Sequence, residues 1–77
     1  MKIQILGTGC PKCQRLYQHA ELAAKELNLS YEMIKIQDID QITDFGVMMT
    51  PALAIDDEVK SAGKLLSVEE IKKLLSN

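Results

Sequence analysis

The chain contains two cysteines, Cys10 and Cys13, both in the stretch Gly7-Thr8-Gly9-Cys10-Pro11-Lys12-Cys13. Thiols at this spacing can join each other in a disulfide, hold a soft metal, or pack inertly. A Cys10–Cys13 disulfide would close a four-residue loop. The chain-entropy model gives so short a loop only about 2 kcal/mol of stabilisation. Such a bond suits a disulfide that is made and broken better than a structural staple.

The chemistry of exchange places demands on what surrounds the pair. The thiolate attacks, so a redox cysteine needs its pKa lowered toward the ambient pH. Pro11 reads as a first helical residue, with φ already set and no N–H to leave unpaired, which puts Cys10 at the N-cap. There Cys10 meets free backbone N–H groups and the positive end of the helix dipole. The pattern therefore assigns Cys10 as the exposed nucleophile and Cys13, one turn further in, as the more buried resolving thiol. Lys12 adds a solvated positive charge, and Pro11 stiffens the turn between the two sulfurs.

The elements that must position this stretch follow from periodicity. Lys2 to Leu6 alternates as a strand, with Ile3 and Ile5 on one face and Gln4 and Leu6 on the other. Gly7 and Gly9 break the strand and permit backbone angles that other residues avoid. Leu16, Ala20, Ala23 and Leu27 then form a helical stripe flanked by Tyr17 and Ala24, which Asn28 can end. Tyr31 to Gln37 is a second strand. A short helix capped by Asp38 runs through Phe45, with Ile39, Ile42 and Phe45 expected inward and Gly46 as its stop. Val47 to Pro51 is a loop, Ala52 to Ile55 a strand, Asp56-Asp57 a hairpin turn, and Glu58 to Ala62 a fourth strand. Gly63 is a break. Ser67-Val68-Glu69-Glu70 is a capping box for a last helix whose buried face is Val68, Ile71, Leu74 and Leu75. The order βαβαββα predicts an α/β domain over residues 1–77, with a mixed four-stranded sheet and flanking helices.

Composition narrows the partners. The 77 residues are 47% apolar and 26% charged with a net charge of −2, enough for one small domain. No basic stripe is present to neutralise phosphates, so nucleic acid is not an expected partner. The apolar runs are too short to span a membrane. A strand pattern begins directly after Met1, which leaves no room for a signal peptide and points to a cytoplasmic, reducing compartment.

The Gly7-to-Cys13 stretch, together with Val47-Met48-Met49-Thr50-Pro51-Ala52-Leu53, resembles the thioredoxin-like superfamily, in particular its small single-domain redox-active disulfide proteins. The resemblance spans essentially the whole chain. It implies a thioredoxin-like fold in which Pro51 is a cis-proline facing the disulfide. The backbone at Thr50 is then expected to pair with a bound peptide, and Gly63 to let the chain pass close to the site. It implies thiol–disulfide oxidoreductase activity with a disulfide-containing protein substrate, an upstream reductase, no cofactor and a monomeric chain. The chain departs from thioredoxins proper in having no Trp, no additional N-terminal strand and helix, and no acidic residue in the Lys2 to Leu6 strand that could serve Cys13 as a buried base.

Two other readings use the same motif. A soft-metal carrier would need a second molecule to complete its shell, because the only further ligand type beside the thiols is His19, six residues beyond Cys13 and expected to be solvated. That class usually ends in a strand, where this chain shows a capped helix. A redox sensor that binds a partner only when oxidised would share the site entirely. Met48 and Met49 are equally readable as an apolar rim beside the disulfide or as core. The acidic turn Asp56-Asp57-Glu58 is expected to be a solvated loop without a role.

Overall fold

β1 (Lys2–Leu6) is the strand on which the rest is assembled. In the computed structural model, which describes residues 1–76, it pairs in parallel with β2 (Glu32–Ile36) and antiparallel with β3 (Ala52–Ile55). β4 (Glu58–Ala62) is antiparallel to β3, giving the sheet order β2-β1-β3-β4. The helices are α1 (Pro11–Glu26), α2 (Ile39–Asp44) and α3 (Val68–Leu75). Alternation along β1 divides the core in two. Ile3 and Ile5 join Leu16, Ala20 and Ala23 of α1, Leu53 of β3 and Ile71 and Leu75 of α3. On the opposite face Leu6 joins Ile36, Ile42 and Val47 over the small residues Ala52 and Ala54.

The helix ends follow from local chemistry. α1 and α2 both finish in Schellman motifs. Leu29 N–H donates to Ala24 O and Asn28 N–H to Lys25 O, with Asn28 at φ 55°. Val47 N–H likewise donates to Ile42 O and Gly46 N–H to Thr43 O, with Gly46 at φ 79°. Asp38 caps α2 by accepting from Asp40 N–H at 2.8 Å. At α3 the Ser67 hydroxyl accepts from Glu70 N–H at 3.2 Å while Ser67 N–H donates to the Glu70 carboxylate at 3.0 Å. The Ser67 backbone donor first, and then Lys64, hold the Glu70 pKa down to about 2.

Two expectations are corrected and one is extended. Ile39 does not face inward. It is 67% exposed, because α2 reaches the core through Ile42. The Asp56-Asp57 turn is exposed as expected, but it is not idle. Gln4, 4% exposed in the central strand, needs partners for both ends of its amide. Its Nε2 donates to Asp57 Oδ1 at 2.7 Å, and Asp57 N–H donates to its Oε1 at 2.8 Å. Asp56 Oδ1 also accepts from Lys2 N–H at 2.8 Å. Both aspartates take positive φ, 50° and 70°, as a type I′ hairpin turn requires. His19 is not simply solvated either: its Nδ1 lies 2.8 Å from Leu66 O and ties α1 to the segment leading into α3.

Leu16 is fully buried between α1 and the sheet. Leu16→Ala is expected to cost about 2–5 kcal/mol of unfolding free energy, read as a lower midpoint in urea denaturation.

Candidate redox site

The site begins where β1 runs out. Gly7 N–H still bonds to Ile36 O at 2.9 Å, so the backbone stays on the sheet one residue beyond Leu6. A side chain at Gly7 would collide with Cys13 Sγ, and its Cβ would stand 3.2 Å from Cys13 Cβ and 3.8 Å from Thr50 Cβ. Gly7 is therefore required for space. Among the described residues the glycines with positive φ are Gly9, Gly46 and Gly63, so the left-handed angle expected at Gly7 as well as Gly9 falls to Gly9 alone in this stretch, at 94°. The signal for this contact in the sequence is a glycine that ends the strand just before the cysteine pair.

Cys10 sits at the N-cap of α1 in extended conformation, with Pro11 at the first helical position. Its Sγ accepts from Cys13 N–H at 3.3 Å, and Cys10 O accepts from Gln14 N–H at 3.0 Å. Both cysteines are free thiols, Cys10 partly exposed and Cys13 only 5% exposed. Their acidities separate accordingly. Hydrogen bonding from the Cys13 thiol first, and then from Cys13 N–H, pulls the Cys10 pKa below that of an ordinary thiol. Burial first, and then its neighbour Cys10, pushes the Cys13 pKa up. No acidic side chain occupies the first turn of α1 to oppose a Cys10 thiolate. Lys12 is exposed there, and the contribution of that residue at the sulfur is its backbone N–H.

The loop before β3 meets this corner through Thr50, whose Cβ lies near the Gly7–Cys13 contact. The Thr50–Pro51 peptide bond is cis, Thr50 is exposed and Pro51 is buried. Gly63, at φ 75°, donates its N–H to Pro51 O at 2.8 Å, and a Cβ on it would lie 2.9 Å from Met49 Cβ. The end of β4 thus fastens the proline loop from behind. Met48 and Met49 are 97% and 65% exposed, which makes them rim and not core. With Ile39 and Thr8 beside them, Met48 and Thr50 line a shallow groove of about 370 Å3. A second cleft, of about 430 Å3, opens on the other side of Cys13 between α1 and β2.

Among the described residues no group of three or more His, Cys, Asp or Glu side chains is arranged to hold a metal ion, and no helix is long and apolar enough to cross a membrane. The sheet, the N-cap thiol and the facing proline loop define a thioredoxin-like thiol–disulfide oxidoreductase. Comparison with known proteins agrees. The sequence profile described as a thioredoxin domain matches residues 1–76. A thioredoxin from Methanothermobacter thermautotrophicus is 51% identical over 76 residues, covering 99% of each chain. A thioredoxin from Methanocaldococcus jannaschii is 43% identical over 75 residues, covering 97% of this chain and 86% of its own. The chain belongs to the thioredoxin domain family. A disulfide substrate and a reductase partner, in general terms, come with that membership.

Three outcomes follow from the geometry. Iodoacetamide labelling of Cys10 against pH is expected to give a midpoint below the ordinary thiol value of about 8.5, because a lowered pKa raises the thiolate fraction at neutral pH. Cys13→Ala removes the leading hydrogen bond and moves that midpoint up. Gly7→Ala forces the Cys13 sulfur out of its seat, costing about 1–3 kcal/mol in chemical denaturation and slowing Cys10 labelling at neutral pH.

Proposed function

We propose that Cys10 attacks the disulfide of a protein substrate and that Cys13 resolves the product. The observation that carries this is the Cys13 N–H bond to Cys10 Sγ between a partly exposed and a buried thiol. The Cys10 thiolate forms a bond to one substrate sulfur, and the substrate's own S–S bond breaks with its electron pair leaving on the other sulfur, which takes up a proton. Cys13 then loses its proton and attacks Cys10 Sγ. The Cys10–substrate bond breaks, and the substrate leaves as a dithiol. The chain is left with a Cys10–Cys13 disulfide, two electrons having passed to the substrate. An upstream reductase returns the pair to its dithiol state.

Thr50, exposed beside the thiols, offers backbone N–H and C=O groups to an extended substrate segment. Pro51 and Gly63 hold that loop in place, and Pro11 and Lys12 shape the first turn of α1. The protein acts as a monomer in the cytoplasm, where a reducing pool keeps such a pair available for turnover.

The discriminating experiment is trapping in cell extract. Cys13→Ser is expected to accumulate mixed disulfides through Cys10, released by dithiothreitol, while Cys10→Ser accumulates none and loses insulin reduction entirely. Trapping by Cys10→Ser instead would reverse the two roles.

A further inference from the structure

A thiolate that opens a disulfide attacks one sulfur in line with the S–S bond and expels the other. Exchange is faster when the expelled thiol has the lower pKa. In this pair that thiol is Cys10. Hydrogen bonding holds it low, first from the Cys13 thiol and then from Cys13 N–H, whereas burial pushes Cys13 up. The Cys13 N–H and the N-cap position of Cys10 both remain when Cys13 itself carries an adduct. Attack on Cys13 therefore has the better leaving group, and only access stands against it.

Access differs between large and small reagents. Cys13 is 5% exposed, which closes it to a thiol on the surface of a folded protein. It nevertheless lines the cleft of about 430 Å3 between α1 and the edge strand β2, and Cys10 does not. A nucleophile in this cleft meets Cys13 on the side away from Cys10, which is the approach that expulsion of Cys10 requires. Gly7 and Gly9 line the same end and put no side chain over the sulfur. A space of this size suits a small molecule.

The charges lining the cleft narrow the chemistry of that molecule. Tyr17 lies one turn of α1 beyond Cys13, and Glu21 lies two turns beyond. Lys35 of β2 holds its Nζ 4.9 Å from the Tyr17 ring centroid, so the cation is nearer the sulfur and the carboxylate farther. The amides of Gln14, Gln18 and Gln37 supply an uncharged polar lining. The thiol that fits is short, with an anionic group about 5 Å from its sulfur, the length of one helical turn.

We propose that this cleft admits a small anionic thiol to Cys13, and that such thiols reopen the Cys10–Cys13 disulfide from behind. The small thiolate forms a bond to Cys13 Sγ. The Cys10–Cys13 bond breaks, and its electron pair leaves on Cys10 Sγ. A second thiolate then attacks the small molecule's sulfur in the mixed disulfide, and the electron pair of that bond leaves on Cys13 Sγ. Two thiols have become one small disulfide, two electrons have passed to the chain, and the two thiol protons end on Cys10 and Cys13. Lys35 serves to hold the reductant's anionic group. The proposal rests on the disulfide formed in the reaction above, and it adds a small-molecule reductant beside the upstream reductase.

The test starts from chemically oxidised chain and follows its reduction by acid quench and reversed-phase chromatography. The probes are β-mercaptopropionate, β-mercaptoethanol and β-mercaptoethylamine, thiols of one length that end in a carboxylate, a hydroxyl and an ammonium. Gln37→Trp sets a bulky ring in the cleft from an exposed position. It is expected to slow β-mercaptopropionate about 10-fold relative to a thiol borne on a carrier protein, which is confined to Cys10. Gln18→Trp, at a second exposed position, is expected to act in the same direction. Lys35→Gln is expected to lower the rate ratio of β-mercaptopropionate to β-mercaptoethylamine by about 2–5-fold, the worth of one exposed ion pair. Any change in the reactivity of the Cys13 sulfur itself cancels in that ratio. In samples quenched early, peptide mass mapping is expected to find the small thiol on Cys13. A small thiol found on Cys10 instead overturns the proposal, as do tryptophan variants that slow both kinds of thiol equally or an unchanged ratio in Lys35→Gln. Because the disulfide is made chemically at the outset, these failures are distinct from a failure of Cys13→Ser to trap substrates.

Discussion

The sulfur of Cys13 occupies the space that a side chain on Gly7 would fill, and much of the site depends on that one vacancy. It lets the first turn of α1 come down onto the end of β1, so that a buried thiol can sit directly behind an exposed one. The Cys13 N–H then points at Cys10 Sγ without any further device. The same corner is where Thr50 arrives from the far part of the sequence. A glycine chosen for its absence of atoms therefore sets the spacing of two thiols and the proline loop.

A second close approach repeats the strategy at the other end of the site. Gly63 stands against Met49 and bonds to Pro51, so the end of β4 fixes the loop that β3 grows from. The two glycines meet different demands. Gly7 needs only room, whereas Gly63 needs room and a left-handed backbone. Between them they hold the loop and the helix cap against the sheet, while the side chains of Thr8, Ile39 and Met48 stay exposed.

Much of this was legible in the sequence because the relevant forces are local. Alternation in Lys2 to Leu6, the stripe from Leu16 to Ala23 and the Ser67–Glu70 box all act over a few residues, and the elements follow them closely. The Cys10 N-cap was equally readable, since Pro11 fixes where the helix starts. What escaped were interactions between distant segments. Nothing near Gln4 indicates that its amide will be matched by Asp57, and nothing near His19 indicates Leu66 O. Ile39 obeys the helical period yet faces solvent, because a six-residue helix has core beneath only part of its length.

The position of β1 in the sheet has a consequence for the history of each molecule. This strand is made before its antiparallel partner β3, which runs from Ala52 to Ile55. Until those residues are made, one edge of β1 has no native neighbour, and the corner that Thr50 completes is open. During that interval Cys10 and Cys13 are two unprotected thiols on a nascent segment, exposed to whatever oxidant or thiol is nearby. The arrangement that places the reactive pair at the end of the central strand also leaves it unsheltered until β3 has been made. A chain of this design depends on its surroundings to keep the pair reduced until the fold closes over it.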